Sequence, residues 1–281
     1  MAGAWNLSGG GARGNDAKQA ALSRGLPEWN ETSGEHGMGL AFTEARAPEG
    51  MRLYAIGDVH GRLDLLDGLH RQIRAELERD RPADWRVIHL GDYVDRGPQS
   101  RGVIESVIEW QSAEPRVLAL AGNHEQGFLD FLVDPQMSGL FARFGGADTA
   151  RSYGVELDTG DRHRFRESHA ALVAAVPATH RSFLGRLAFF AEFGDFFFCH
   201  AGVRPTQPLA AQTADDLIWI REDFLNWTEL FSKVVVHGHT PVTEPDIRPN
   251  RVNCDTGAFQ SGVLSALVVE GREKRFLQER A

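Results

Sequence analysis

The chain has 281 residues, enough to bury a sizeable core in one large domain rather than two. Its 30 basic against 39 acidic residues give a formal charge of −9, and no dense Lys/Arg run stands out, which argues against nucleic acid as a partner. No run of about 18 apolar residues offers a membrane span, the first thirty residues lack a secretory apolar centre, and Cys199 and Cys254 read as small core residues, so the expected location is cytoplasmic.

Residues 1–48 are rich in Gly, Ala and charge, with Gly9-Gly10-Gly11 at one end and no apolar period. Such a segment cannot bury enough surface to order itself, and it is predicted as a flexible extension before a folded domain over 49–281; Met38 and Met51 would also serve as starts. From Arg52 strand and helix alternate. A short apolar run leads into Gly57-Asp58-Val59-His60-Gly61, and Leu63, Leu66, Leu69, Ile73 and Leu77 then mark one apolar face of a helix that Arg81-Pro82 ends. A strand predicted over Arg86–Leu90 delivers Gly91-Asp92-Tyr93-Val94-Asp95-Arg96-Gly97, and a helix carries Val103, Ile104, Val107 and Ile108. A strand over Arg116–Leu120 delivers Gly122-Asn123-His124-Glu125, and Phe128, Leu129 and Leu132 mark a helix closed by Asp134-Pro135. The β-α-β-α-β order predicts parallel strands.

Between about 135 and 190 the pattern becomes helical and mixed, including Gly145-Gly146-Ala147-Asp148-Thr149, and it is predicted as a cap inserted over the strand ends. A strand-rich half follows, with strands over 195–199, 233–236, 251–254 and 262–269. Phe196-Phe197-Phe198-Cys199 enters His200-Ala201-Gly202, and Val234-Val235-Val236 enters His237-Gly238-His239-Thr240-Pro241. Five strand ends thus carry polar motifs to one edge. Asp, His and Asn without a thiolate form an oxygen and nitrogen donor set suited to manganese, iron or zinc. His89 reads as a strand side chain and His70 as a surface helix residue.

The ordered set GD-x-HG, GD-x-x-DRG, GNHE, HAG and GH resembles the phosphoprotein phosphatase family of calcineurin-like binuclear metallophosphoesterases, most nearly its bacterial and phage-type serine/threonine phosphatases, over about 52–269. The resemblance implies an α/β fold of two packed mixed sheets flanked by helices. It implies two divalent metal ions, manganese first with iron or zinc as options, held by Asp58, His60, Asp92, Asn123, His200 and His239, with Asp92 shared between them. Spacing alone leaves His237 and His239 open; the resemblance favours His239 and places His237 behind it.

The same resemblance makes His124 the proton donor to the leaving group, Asp95 its orienting partner, and Arg96 and Arg221 the phosphate clamps, with Arg204 a weaker candidate. Asp255-Thr256-Gly257 is expected to close the site from below. The implied reaction is hydrolysis of phosphoserine or phosphothreonine in proteins, by direct attack of a hydroxide held between two metals. Hydrolysis of dinucleoside polyphosphates or other small phosphate esters and anhydrides is the alternative, although the usual enzymes of that kind depart from Asp-Arg-Gly. A catalytically dead phosphoprotein-binding module would lack a ligand or one of Asp95, His124 and Arg96, and none is missing.

Overall fold

The structure is a computed structural model that describes residues 39–136, 139–158 and 160–281. In chain order the strands of the first half are β1 (Met51–Ile56), β2 (Asp84–His89) and β3 (Val117–Ala119), joined by helices α1 (Leu63–Asp80) and α2 (Ser100–Ala113). Helix α3 (Asn123–Val133) follows, then four helices: α4 (Leu140–Arg143), α5 (Gly146–Ser152), α6 (Arg162–Ala175) and α7 (Ala178–Leu184). The second half holds β4 (Phe190–Phe193), β5 (Phe196–Cys199), α8 (Ala214–Trp219), α9 (Glu222–Leu225), β6 (Val234–His237), β7 (Asp246–Ile247), β8 (Arg251–Asn253), α10 (Ala258–Ser261), β9 (Val263–Glu270) and β10 (Glu273–Arg280).

These strands form two five-stranded mixed sheets, ordered β10-β9-β1-β2-β3 and β4-β5-β6-β8-β7. The motif-bearing strands run parallel, β1 with β2 and β3 in one sheet and β5 with β6 and β8 in the other. Alternation of side chains explains why both sheets read as nearly continuous apolar runs: Leu53, Ala55, Ile88 and Leu90 meet Phe196, Phe198, Val234 and Val236 between the sheets. Tyr54, Ile56 and Val87 face the helices of the first half, while Phe197, Cys199 and Val235 face α8 and α9. The layers are therefore helix, sheet, sheet, helix, as expected. Both cysteines are free and buried. No helix among the described residues is long and apolar enough to cross a membrane.

Three strands lie outside the sequence-based expectation. Strand β10 is polar because it is an edge strand, paired to β9 through its backbone with most of its side chains half-buried. Strand β4 lies at the end of the segment read as a cap and forms a hairpin with β5. The remaining one, β7, has only two residues. The helices expected within 135–190 are present, and Phe141, Ala150, Tyr153, Phe165, Leu172 and Phe183 join the core behind the first sheet.

The expected extension needs correction at its end. Residues 1–38 lie outside the described residues, but 39–48 are packed chain: Phe42, Ala45 and Ala47 are buried in the core between the sheets. Their backbone is tied down by Leu40 N–H to Phe231 O and Phe42 N–H to Pro249 O. A few isolated apolar residues in a glycine-rich stretch carry no period, so their burial was not visible locally.

Candidate metal centre

All five motifs occupy loops at the carboxyl ends of parallel strands. Asp58 and His60 follow β1, Asp92 to Arg96 follow β2, Asn123 opens α3 after β3, His200 follows β5 and His239 follows β6. Six non-glycine residues among those described have positive φ, and five belong here: His60 (44°), Asp92 (53°), Asp95 (71°), Arg96 (68°) and His239 (68°). Left-handed backbone of this kind costs of order 1–3 kcal/mol per residue and survives where the surroundings fix it. Close approach of the loops demands glycine at two points. A Cβ on Gly122 would stand 2.2 Å from Asp92 Oδ1, and one on Gly238 would stand 2.0 Å from Asp58 Oδ1.

Much of the fixing comes from Glu125, whose role the sequence did not reveal. Its buried carboxylate accepts the backbone N–H groups of Asp92 (2.8 Å), Tyr93 (2.7 Å) and Gly122 (2.9 Å), binding two loops together. Burial and the neighbouring Asp92 charge push its pKa up to about 7. The signal available was its place three residues into a helix, where a carboxylate reaches back to free N–H groups.

The donor atoms converge with their lone pairs facing one another. His60 Nδ1 donates to Val94 O at 2.7 Å, so its Nε2 carries the lone pair, and that atom lies 3.4 Å from Asp92 Oδ2. His200 Nδ1 donates to Leu90 O at 3.0 Å, so its Nε2 lone pair faces Asp92 Oδ1 at 3.4 Å and Asn123 Oδ1 at 3.0 Å. His239 Nδ1 is 2.9 Å from Asn123 Oδ1 and 3.1 Å from His200 Nε2. Asp92 thus turns one oxygen to each group, His60 with His124 on one side and His200 with His239 on the other.

Charge points the same way. Asp58 and Asp255 are both buried, and burial together with neighbouring carboxylates holds Asp58 well above the usual carboxylate range. Asp255, raised to about 6 chiefly by burial, leaves Oδ2 without a partner. Burial lowers His60 to about 3 and His239 to about 2, so both are neutral imidazoles with lone pairs to give. Buried carboxylates and facing lone pairs are costly alone and are resolved by cations, so the residues present fit divalent metal ions. Asp58 stands slightly apart, accepting the His239 N–H at 3.1 Å.

His124 Nδ1 is 2.6 Å from Asp95 Oδ2, and Arg96 Nη2 donates to His124 Nε2 at 3.2 Å. Thr149 of α5 donates to the other Asp95 oxygen at 2.8 Å, and with Ser100 it accepts the Asp95 N–H. The Arg96 N–H is held by Gly145 O. The segment read as a cap therefore braces the Asp95 loop. Arg221 donates to Thr240, beside His239, at 3.3 Å. Arg204, in contrast, is paired with Asp216 (3.0 Å) and Asp223 (3.3 Å).

His237 ends β6 and is packed edge-on against Phe224 with its ring 5.0 Å away, whereas His239, beyond the strand, meets His200 and Asn123. His70 is buried rather than on the surface, with Nε2 2.9 Å from His89 Nε2.

Fold and site define a metal-dependent phosphoesterase. Residues 51–263 match the model of the calcineurin-like phosphoesterases, and the chain belongs to that family, which uses a binuclear divalent metal site. Among curated relatives, the bis(5'-nucleosyl)-tetraphosphatase PrpE [asymmetrical] of Anoxybacillus flavithermus is 26% identical over 232 residues, covering 75% of this chain and 88% of that protein. A variant of a cold-active protein tyrosine phosphatase aligns with TM-score 0.54 and 15% identity, over 85% of this chain and 83% of the other. A protein serine/threonine phosphatase from Saccharomyces cerevisiae aligns with TM-score 0.51 and 12% identity, over 85% of each chain. At such identities the two structures share the fold alone.

Proposed function

We propose that this chain hydrolyses dinucleoside polyphosphates, cleaving a tetraphosphate asymmetrically, with Asp58, His60, Asp92, Asn123, His200 and His239 holding two divalent ions, manganese foremost. The observation that carries the reaction type is the facing of lone pairs from His60, His200, His239 and Asn123 around the two oxygens of Asp92. The substrate class is supported by the relative named above as a bis(5'-nucleosyl)-tetraphosphatase, similar over three quarters of this chain. This reverses the order of the two substrate readings drawn from the motifs.

Bound ions of this kind neutralise phosphoryl oxygens and lower the pKa of water. The protein's own residues do the rest. Arg96 and Arg221 present guanidinium forks to the remaining phosphate oxygens. As Arg96 turns to the phosphate it frees His124 Nε2, which can then take up a proton from water and pass it to the departing oxygen, while Asp95 and Thr149 hold the ring. The catalytic unit under this reading is 39–281, and two free buried thiols fit a reducing cytoplasm.

One observation favours a second reading, phosphoserine or phosphothreonine monoesters. A nucleotide leaves as a stable anion and needs little protonation, whereas a serine alkoxide needs an acid as well placed as His124 against Asp95. The manganese-supplied protein should be assayed on diadenosine tetraphosphate beside phosphoserine, phosphothreonine and phosphotyrosine peptides. The expected result is higher kcat/KM on the dinucleotide, with ATP and AMP as products. Higher kcat/KM on a phosphopeptide would overturn the first reading, and two ADP as products would overturn the asymmetry.

A further inference from the structure

We infer that Trp219 is the stacking platform for a nucleobase of the substrate, an inference that rests on the dinucleoside polyphosphate reading above. Trp219 is the last residue of α8 and is 43% exposed, although its neighbours Leu217 and Ile218 are buried. It stands at the metal centre: its ring is 6.3 Å from the His239 ring, which meets it nearly at right angles (85°). Arg221 is two residues on and donates to Thr240, next to His239. The exposed indole and the phosphate-clamp candidate thus share one corner of the site.

The helix that carries it is anchored. Thr213 caps α8 by accepting the Asp216 N–H, and Ala201 N–H, next to His200, donates to Leu217 O at 2.7 Å. An aromatic ring held in place loses little entropy on stacking. Phe259, which meets the His60 ring at 5.5 Å, is already engaged, with Arg96 lying over it 4.8 Å from the ring centroid. Among the described residues no cation covers Trp219. Every nucleobase offers a π-face, so this device favours nucleotides over bare phosphate without choosing a base.

The test uses the manganese-loaded protein with metal content measured, and titrates AMP and ribose 5-phosphate by calorimetry against wild type, Trp219→Ala and Trp219→Phe. The two probes share phosphate and ribose and differ in the base. Base stacking predicts that wild type binds AMP about 10–100-fold tighter than ribose 5-phosphate, that Trp219→Ala loses this preference, and that Trp219→Phe keeps most of it. Ribose 5-phosphate affinity should be unchanged in both variants. Equal binding of the two probes by wild type, or an AMP preference that survives in Trp219→Ala, overturns the platform. If wild type leaves diadenosine tetraphosphate uncleaved while the AMP preference exists and depends on Trp219, the platform stands and the reading of the reaction fails.

Discussion

His124 and Asp95, 29 residues apart, are joined by a 2.6 Å hydrogen bond from Nδ1 to Oδ2 that spans the ends of two strands. Burial alone would lower the His124 pKa, but the Asp92 charge and the Asp95 hydrogen bond outweigh it and raise it above the ordinary value. The Asp95 carboxylate on Nδ1 favours the imidazolium, the form in which His124 can give up a proton once Arg96 has left Nε2.

His124→Asn should therefore cost most where the leaving group is poor. General acid catalysis is typically worth ~10²–10⁴-fold, so a loss of that order is expected on phosphoserine peptides and a distinctly smaller one on p-nitrophenyl phosphate. Asp95→Asn should move the alkaline limb of the pH–rate profile to lower pH, because it removes a charge that raises the His124 pKa. Equal losses on both substrates at full metal content would remove His124 from the role of donor.

Asp92 presents one oxygen to each half of the site, so Asp92→Asn should be the most damaging single ligand change. Elemental analysis should show both metals depleted, where His239→Asn depletes chiefly one. Chelation should abolish hydrolysis and manganese restore it. Full turnover in a preparation free of metal would refute the mechanism.

Residues 39–48 bury Phe42, Ala45 and Ala47 between the sheets, so a protein beginning at Glu49 should melt well below one beginning at Gly39. Phe42→Ala alone should cost about 3 kcal/mol in denaturant unfolding, the lower end of the range for a buried phenylalanine. Identical melting of the two truncated proteins would return this stretch to the category of a leader.

The buried pair His70–His89 makes stability sensitive to acid. His89 Nδ1 donates to Leu118 O, so its Nε2 accepts from His70, and both rings are neutral. Burial lowers His70 to about 2 and His89 to about 4, below the ordinary value near 6.5. The unfolded chain therefore binds more protons below pH 6.5. Stability is fully present above that pH and is lost as pH falls toward 4, by roughly 2 kcal/mol per histidine between pH 6.5 and 5. In urea unfolding, wild type should lose stability relative to a His70→Leu, His89→Leu double variant as pH drops from 7 to 5. A constant gap over that range would contradict the pair's role.

The five polar motifs were legible in the sequence because each follows a local rule: a short buried run delivers whatever follows it to the carboxyl edge of a sheet. Helix α1 was legible for a similar reason, since its apolar face repeats with the helical period within a single segment. What folding alone decided were contacts between distant segments. Thr149 reaches Asp95 across 54 residues, Glu125 gathers the N–H groups of a loop 32 and 33 residues back, and His70 finds His89 under the first sheet. No local period encodes such pairings, because only the packing of separate elements brings their atoms within hydrogen-bond reach. The choice between His237 and His239 is of the same kind. Two residues of one type one glycine apart look equivalent along the chain, but in the fold the first packs on Phe224 at the strand end and the second, in a left-handed turn, reaches His200 and Asn123. Edge strand β10 and the packed stretch 39–48 escaped notice because their partners, the backbone of β9 and the inter-sheet core, exist only once the sheets have formed.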